Sequence, residues 1–349
     1  GENLLDGLAG RGVRFIDDKA ELPGLAGGPV WGLFAESHMD PDIDRDDLHP
    51  TQPSLAEMTE AAIDILSENR RGVFLLVEGS QVDWAGHAND AGYMVSEFLA
   101  FDAAVGKALS FARSDGRTLV LVFPDHNTGG LSIGQGQSGW ADVPPDYLAT
   151  SVEALIAPIK DAGATVGGLL ETLPEGATGA DVQAAFAARM GGYWQNRLLA
   201  ADAAEIAAHA ADPAHAAALI SRRYTAFGWT SHGHTGEDVP LWAFGPQRPV
   251  GTFDNTELAG IAAEAMGIDL ARTSTRLFVD VSDAFADYAV DNTDPQNPLL
   301  TVDGAELPVN RNIIRKKGRV RTFSGIVVHA PAIDKFFIPT EAVRMIQNR

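Results

Sequence analysis

The stretch that decides the fold is Val73-Phe74-Leu75-Leu76-Val77-Glu78-Gly79-Ser80-Gln81-Val82-Asp83-Trp84-Ala85-Gly86-His87. Its first five residues form a continuous apolar run, which is typical of a buried strand rather than of a surface helix. Three side chains that can bind a cation follow, namely Glu78, Asp83 and His87. Asp83 and His87 are four residues apart, so in a helix they share one face and can reach the same ion. The stretch therefore predicts a strand that ends in a metal site.

Helical and strand-like patterns alternate around this stretch. Ser54 and Glu57 form a capping box that begins one helix, and a second helix is predicted over residues 91–113. A second buried strand is predicted at residues 118–123 and a third at 241–244. Strand, helix and strand in this order indicate a right-handed parallel crossover. We therefore predict an α/β fold in which helices cover both faces of a mostly parallel sheet.

The remaining segments differ in their predicted secondary structure. Residues 146–224 are predicted to be mainly helical, and the glycine-rich run at 134–139 is interpreted as a flexible turn. Beyond residue 269, short β-like runs alternate with Asn, Asp, Pro and Gly. We therefore predict a metal-binding core over residues 1–270 and a small β-rich module over 271–349.

Composition excludes several classes of function. The chain has 349 residues and a formal net charge of −21, so nucleic-acid phosphates would repel it and no nucleic-acid partner is expected. It has no cysteine, which excludes thiolate metal sites and a cysteine nucleophile. No apolar run reaches the ~20 residues that a membrane span needs, so no span is expected. Any metal ion must be held by histidine and carboxylate side chains.

Two further segments offer metal ligands beside predicted strands. Asp125 and His126 follow the second strand, and His234 lies in a glycine-containing loop before the third. Each residue taken alone is more often a cap, a surface charge or a structural histidine. Ligands bind at the carboxyl ends of strands in open parallel sheets, where these segments can converge, so together they predict one metal site.

Three other histidines are less informative. His232 could support His234 or face solvent, and the sequence leaves both alternatives open. His209 and His215 flank a proline in an alanine-rich helical stretch, where a solvated face is the favoured interpretation.

The three ligand-bearing segments resemble motifs of the alkaline phosphatase family. The first is Val77 to Asn89, the second is Asp125-His126-Asn127-Thr128-Gly129-Gly130, and the third is His234-Thr235-Gly236-Glu237-Asp238-Val239-Pro240. The resemblance implies a three-layer αβα sandwich with a mostly parallel central sheet. It also implies that Asp83, His87 and His234 bind a first Zn²⁺, that Asp125 and His126 bind a second Zn²⁺, and that Glu78 is a ligand of one Mg²⁺.

The resemblance also implies an activity and a setting. Members of the family hydrolyse phosphate monoesters through a phosphoserine intermediate and release inorganic phosphate. They are periplasmic or secreted and commonly form homodimers. Each of these properties is an expectation for this chain.

The sequence departs from the family most in the part before Glu78. Residues 1–77 contain neither the Asp-Ser-Ala type motif of the family's nucleophile nor the Gly-Asp-Gly strand end that opens the family fold. The resemblance implies that the phosphate-binding Arg is missing as well. The simplest interpretation is an N-terminally truncated piece of a longer phosphatase that is inactive alone. Two alternatives remain open, namely another member of the superfamily (a sulfatase, phosphodiesterase or phosphate mutase) and a non-catalytic metal-binding module.

Overall fold

The structure is a computed structural model that describes residues 4–25, 27–133, 152–295 and 297–347. The glycine-rich run at 134–139 and the beginning of the predicted helical stretch, 146–151, lie outside the described residues. The chain forms two compact units, Gly1–Pro249 and Val250–Arg349. Among the described helices, none combines the length and the apolar composition that crossing a bilayer requires.

Helices predominate in the first unit. They are α1 (Leu4–Ala9), α2 (Asp42–Leu48), α3 (Leu55–Ser67), α4 (Ser80–Ala88), α5 (Ala91–Asp115), α6 (Val152–Lys160), α7 (Val166–Glu171), α8 (Gly179–Arg189), α9 (Ala200–Ala208) and α10 (Pro213–Tyr224). The strands are β1 (Arg14–Ile16), β2 (Val30–Gly32), β3 (Val120–Val122), β4 (Asn127–Thr128), β5 (Ser132–Ile133), β6 (Phe227–Gly228), β7 (His234–Thr235) and β8 (Trp242–Phe244).

The predicted helices of the first unit form where local signals place them. The capping box of Ser54 and Glu57 begins α3, as predicted. The helix predicted at residues 91–113 is α5, which begins after the N-cap Asp90 and ends before Gly116. Gly116 has a φ of 71°, a left-handed conformation that glycine adopts without steric cost. Helix bounds set by caps were therefore predictable from a few neighbouring residues.

The strands of the first unit form short pairs. The predicted strands at 118–123 and 241–244 are present as β3 and β8, and they pair antiparallel with Leu121 opposite Ala243. Pairs β4–β7 and β5–β6 are also antiparallel, whereas β1–β2 is parallel. The α/β class is confirmed, but these described pairs are not the mostly parallel sheet that we predicted. The parallel crossover needed a strand at residues 73–77 that the structure does not contain.

The segment at 73–77 corrects one prediction. It carries no strand, and its exposure alternates along the chain, with Phe74 63% and Leu76 77% exposed and the residues between them partly buried. This period of two is typical of extended backbone. A strand also needs ladder hydrogen bonds, and among the described strands none pairs with this segment. The prediction of a buried strand here is therefore wrong.

The main core of the first unit is helical. Phe186 of α8 and Ile206 of α9 are fully buried, and Trp194 is 1% exposed while its indole N–H donates to the Pro158 carbonyl over 2.8 Å. Burial of each such side chain contributes about 1.5–3 kcal/mol relative to exposure. The described part of the predicted helical stretch, residues 152–224, is confirmed.

Buried carboxylates connect α2 with α5 and α7. Asp44 accepts hydrogen bonds from the Thr165 amide and hydroxyl at 3.0 and 2.6 Å. Glu97 is 7% exposed, and its Oε1 accepts from the Asp42 amide over 2.5 Å. Burial raises the pKa of Glu97 to about 7. These contacts satisfy amide donors near the beginnings of α2 and α7 but place acidic groups in surroundings that disfavour their charge.

The second unit combines sheets with short helices. Its helices are α11 (Leu258–Ala265), α12 (Leu270–Leu277), α13 (Val281–Ala284) and α14 (Thr340–Gln347). Its strands are β9 (Phe278–Asp280), β10 (Tyr288–Asp291), β11 (Leu299–Val302), β12 (Ala305–Pro308), β13 (Ile313–Lys316), β14 (Arg319–Thr322), β15 (Val328–Ala330) and β16 (Lys335–Pro339).

Two antiparallel sheets organise this unit. Strands β10 to β14 form a five-stranded meander, and β15, β16 and β9 form a three-stranded sheet. Leu300, Leu307 and Ile338 are fully buried in its core. The compact units divide at Pro249, whereas the change in texture that sets our predicted limit lies at residue 270, where α12 begins. That limit stays a prediction.

Candidate metal centre

Helix α4 carries two of the predicted ligands on one face. Asp83 lies in its first turn and His87 in its last turn, and His87 Nε2 is 3.3 Å from Asp83 Oδ2. An acidic group near the beginning of a helix also matches the helix dipole. The spacing of four residues therefore places both side chains on one face of α4, as the sequence predicts.

The third ligand comes from a distant part of the chain. Strand β7 pairs with β4 so that His234 lies opposite Thr128, and His234 Nε2 is then 3.6 Å from Asp83 Oδ1. One ligand atom each from Asp83, His87 and His234 lies within 4.8 Å of the other two. The side chains are 32%, 41% and 52% exposed, so an ion could reach them from solvent. These three residues therefore form a group that can hold a metal ion.

The donor set fits a borderline cation. Two imidazoles and one carboxylate are a known ligand set for catalytic zinc, which keeps its fourth position open. His87 Nδ1 lies 2.5 Å from the carbonyl oxygen of His232. A carbonyl only accepts, so Nδ1 carries the proton and Nε2 keeps the lone pair that a metal needs.

Asp125 and His126 lie beside this group. The His126 ring stacks on that of His234 with centroids 3.6 Å apart, and His126 Nε2 is 3.2 Å from Asp125 Oδ2. The Asp125 side chain is 85% exposed. The structure thus brings His126 to the edge of the three-ligand group, with Asp125 on the solvent side.

Glu78 is not brought together with the other predicted ligands. It is exposed, at the end of the segment that lacks a strand. No described residue forms a hydrogen bond or ion pair with the Glu78 side chain. Its predicted role as a magnesium ligand therefore rests on the family resemblance.

Thr128 is a residue that sequence reasoning missed. It is 5% exposed, and its hydroxyl donates to Asp83 Oδ1 over 2.5 Å and lies 3.3 Å from His126 Nδ1. It therefore contacts one residue of each predicted ligand set. Its position two residues after the predicted ligand His126 was the available signal.

Close packing holds α4 against β4. A Cβ atom at Gly86 would lie 2.8 Å from the Thr128 carbonyl oxygen and 2.9 Å from its Cβ. The glycine between Ala85 and His87 is therefore required by the approach of a neighbouring strand. The adjoining Gly129 has a φ of 79°, which favours glycine at the turn after β4.

Known proteins resemble this chain over most of its length. The model of the family described as Alkaline phosphatase matches residues 1–268. Alkaline phosphatase 3 of Bacillus subtilis (strain 168) is 36% identical over 268 residues, and Alkaline phosphatase 4 of the same organism is 34% identical over 269. Both matches cover 74% of this chain and 53% of the relative, so the chain spans about half the length of these curated relatives.

Solved structures agree with these sequence matches. The cold-active alkaline phosphatase of the psychrophile Shewanella sp. is 28% identical with a TM-score of 0.56, covering 76% of this chain and 62% of that one. The Thermus thermophilus alkaline phosphatase is 26% identical with a TM-score of 0.65, covering 77% and 59%. Both similarities extend over about three quarters of this chain.

Proposed function

This chain belongs to the alkaline phosphatase family, and from that membership we propose that it supplies the zinc-binding part of an enzyme that hydrolyses phosphate monoesters. The observation that carries the proposal is the convergence of Asp83, His87 and His234 within 4.8 Å. These residues come from a helix and a distant strand, and together they are the donor set of a catalytic zinc site. The proposed products are an alcohol and inorganic phosphate.

The metal identities are part of the proposal. Asp83, His87 and His234 would hold the first Zn²⁺, Asp125 and His126 would contribute to the second, and Glu78 would contribute to Mg²⁺. The stack of His126 on His234 supports neighbouring zinc positions. Paired metal ions ~4 Å apart supply positive charge to the attacking and leaving oxygens of an in-line displacement. The chain's residues would hold and orient these ions.

Electrostatics agrees with this assignment. A chain with a net charge of −21 repels a phosphate dianion, so the substrate needs locally positive charge. Bound cations are often the largest local charges in such a site. A periplasmic or secreted location and a homodimer are further proposals, supported by family membership alone.

The first experiment measures zinc binding and hydrolysis by the 349-residue chain. We expect tight binding of one Zn²⁺, which His234→Ala removes, and no steady hydrolysis of p-nitrophenyl phosphate. The reason is that the chain contains no Asp-Ser-Ala motif to supply a nucleophile. Hydrolysis that a chelator and His234→Ala both abolish would overturn the inactivity of this chain. Zinc binding that survives His234→Ala would overturn the proposed ligands.

A second experiment tests catalysis. The chain is co-expressed with the part of Bacillus subtilis Alkaline phosphatase 3 that the match does not cover, and p-nitrophenyl phosphate hydrolysis is measured with zinc and magnesium. The proposed function predicts hydrolysis that depends on His234. A soluble complex that binds zinc without hydrolysing the ester would instead favour a non-catalytic metal-binding module. The matched control is the same complex with His209→Ala, outside the metal centre.

A further inference from the structure

His87 and His232 bind each other's backbone, although they are 145 residues apart. His87 Nδ1 donates to the His232 carbonyl over 2.5 Å, and His232 Nδ1 lies 2.8 Å from the His87 carbonyl. Since a carbonyl only accepts, the His232 ring donates this second bond. The end of α4 and the loop before β7 are thus joined by two hydrogen bonds in opposite directions.

The second bond satisfies a helix end. The last carbonyl groups of a helix lack partners within it. At the end of α4, the Asn89 amide donates to the Ala85 and Gly86 carbonyls, and Asn89 has a φ of 55°. The next carbonyl, that of His87, is reached by the His232 ring. His232 therefore caps the turn of α4 that carries a proposed zinc ligand.

The other side of the His232 ring also has a neighbour. The side-chain amide of Asn89 lies 3.3 Å from His232 Nε2, and Asn89 is 6% exposed. The imidazole is therefore held between a helix carbonyl and a buried amide, although His232 is exposed as a whole. This arrangement restricts the rotation of the ring.

His234 has separate support. The Gly129 amide donates to the Gly233 carbonyl over 2.9 Å, and β7 pairs with β4 at His234. Main-chain bonds therefore hold His234 without the His232 side chain. Loss of the His232 ring would mainly release the carbonyl that orients His87.

We propose that His232 is a positioning residue for zinc, because its ring ties the end of α4 to the carbonyl that fixes the tautomer and direction of His87. The inference rests on the zinc site proposed above. His232 supports His87 rather than His234, which answers the question that the sequence left open. Partners of this kind orient ligands and raise metal affinity.

The test compares zinc dissociation constants of full-length variants by competition with a chromophoric chelator. His232→Phe keeps a ring without nitrogen, and His232→Gln places its amide one bond too far out. Both should bind zinc about tenfold more weakly, the lower end of the range for such partners. His232→Asn places its amide nitrogen near the Nδ1 position and should stay within about threefold of the wild type.

A second readout reports on His87 itself. Nitrogen-15 NMR of the zinc-free protein should show His87 in one tautomer, protonated at Nδ1, in the wild type and in His232→Asn. In His232→Phe and His232→Gln the signal should show exchange between tautomers. A general loss of stability would not distinguish asparagine from glutamine in this way.

His209→Phe is the matched control. His209 Nδ1 lies 2.9 Å from the Glu205 carbonyl, so the variant removes a similar ring-to-backbone contact outside the metal centre. Its zinc affinity should equal that of the wild type. The inference would be overturned if zinc affinity were unchanged in His232→Phe and His232→Gln, or if the asparagine and glutamine substitutions lowered it equally. Either result would leave the proposed zinc site unaffected. A wild type that binds no zinc would overturn the proposed function itself.

Discussion

His126 and His234 lie ring against ring, with centroids 3.6 Å apart and planes 23° from parallel. The two residues belong to different predicted zinc sites. His126 directly precedes β4, His234 lies in β7, and these two strands pair with each other. The stack therefore makes the two proposed metal positions neighbours.

Zinc stoichiometry tests this relationship. The chain should bind a first Zn²⁺ tightly and a second more weakly, because the second has two predicted ligands here. His126→Ala should abolish the second binding event in calorimetry and leave the first within a few-fold. His126→Phe, which keeps an aromatic ring against His234, is the control and should behave like the alanine variant. A second event that persists in both would show that His126 only packs against His234.

The hydroxyl of Thr128 predicts an effect on zinc affinity. It donates to Asp83 Oδ1 over 2.5 Å and so fixes the direction of that carboxylate. Thr128→Val, which keeps the shape and removes the donor, should raise the zinc dissociation constant about tenfold. Thr128→Ser should stay close to the wild type in the same competition assay. Equal affinities in the valine and serine substitutions would contradict this role.

The approach of α4 to β4 predicts an effect on stability. The Cβ of Gly86→Ala would lie 2.8 Å from a backbone oxygen, so the helix or strand must move. We expect a loss of about 1–3 kcal/mol in the free energy of unfolding, measured with urea, as for other overpacked sites. Gly106→Ala in α5 is the control, because nothing lies within 4 Å of its Cβ position. That variant should be neutral or slightly stabilising because alanine favours helix.

The buried carboxyl of Glu97 predicts a pH dependence. Burial raises its pKa from 4.5 to about 7, so between these pH values the folded chain binds a proton that the unfolded chain has released. Stability therefore falls as pH rises through this window and changes no further above it. Glu97→Gln can still accept the bond from the Asp42 amide and has no charge to bury. Its stability relative to the wild type should increase by about 3 kcal/mol between pH 4.5 and pH 8, at 1.36 kcal/mol per pH unit.

Glu60→Gln is the control for this measurement. Glu60 pairs with Lys107 near the surface, where its side chain is 54% exposed. Its relative stability should show no comparable rise in urea unfolding at the two pH values. If the difference in unfolding free energy between Glu97→Gln and the wild type did not change with pH, the Glu97 carboxyl would titrate as it does in water.

Several features of the fold and the site were predictable from the sequence because their causes are local. The capping box of Ser54 and Glu57 and the end of α5 at Gly116 depend on residues within one turn. The pairing of Asp83 with His87 depends on the helical repeat alone. The segment at 73–77 shows the limit, since its apolar run predicts a strand but cannot supply the neighbour that a strand requires.

By itself, the sequence indicated which side chains can bind a metal ion, where α3 and α5 begin, and which family the motifs resemble. Tertiary structure decided which of those side chains meet. The pairing of β4 with β7 brings His234 to Asp83, and it places Thr128 against Asp83 and His232 against the end of α4. The physical reason is the distance along the chain that separates the interacting residues. Helix caps and side-chain periods involve neighbouring residues, whereas the β4–β7 pairing and the two bonds between His87 and His232 join residues more than a hundred positions apart.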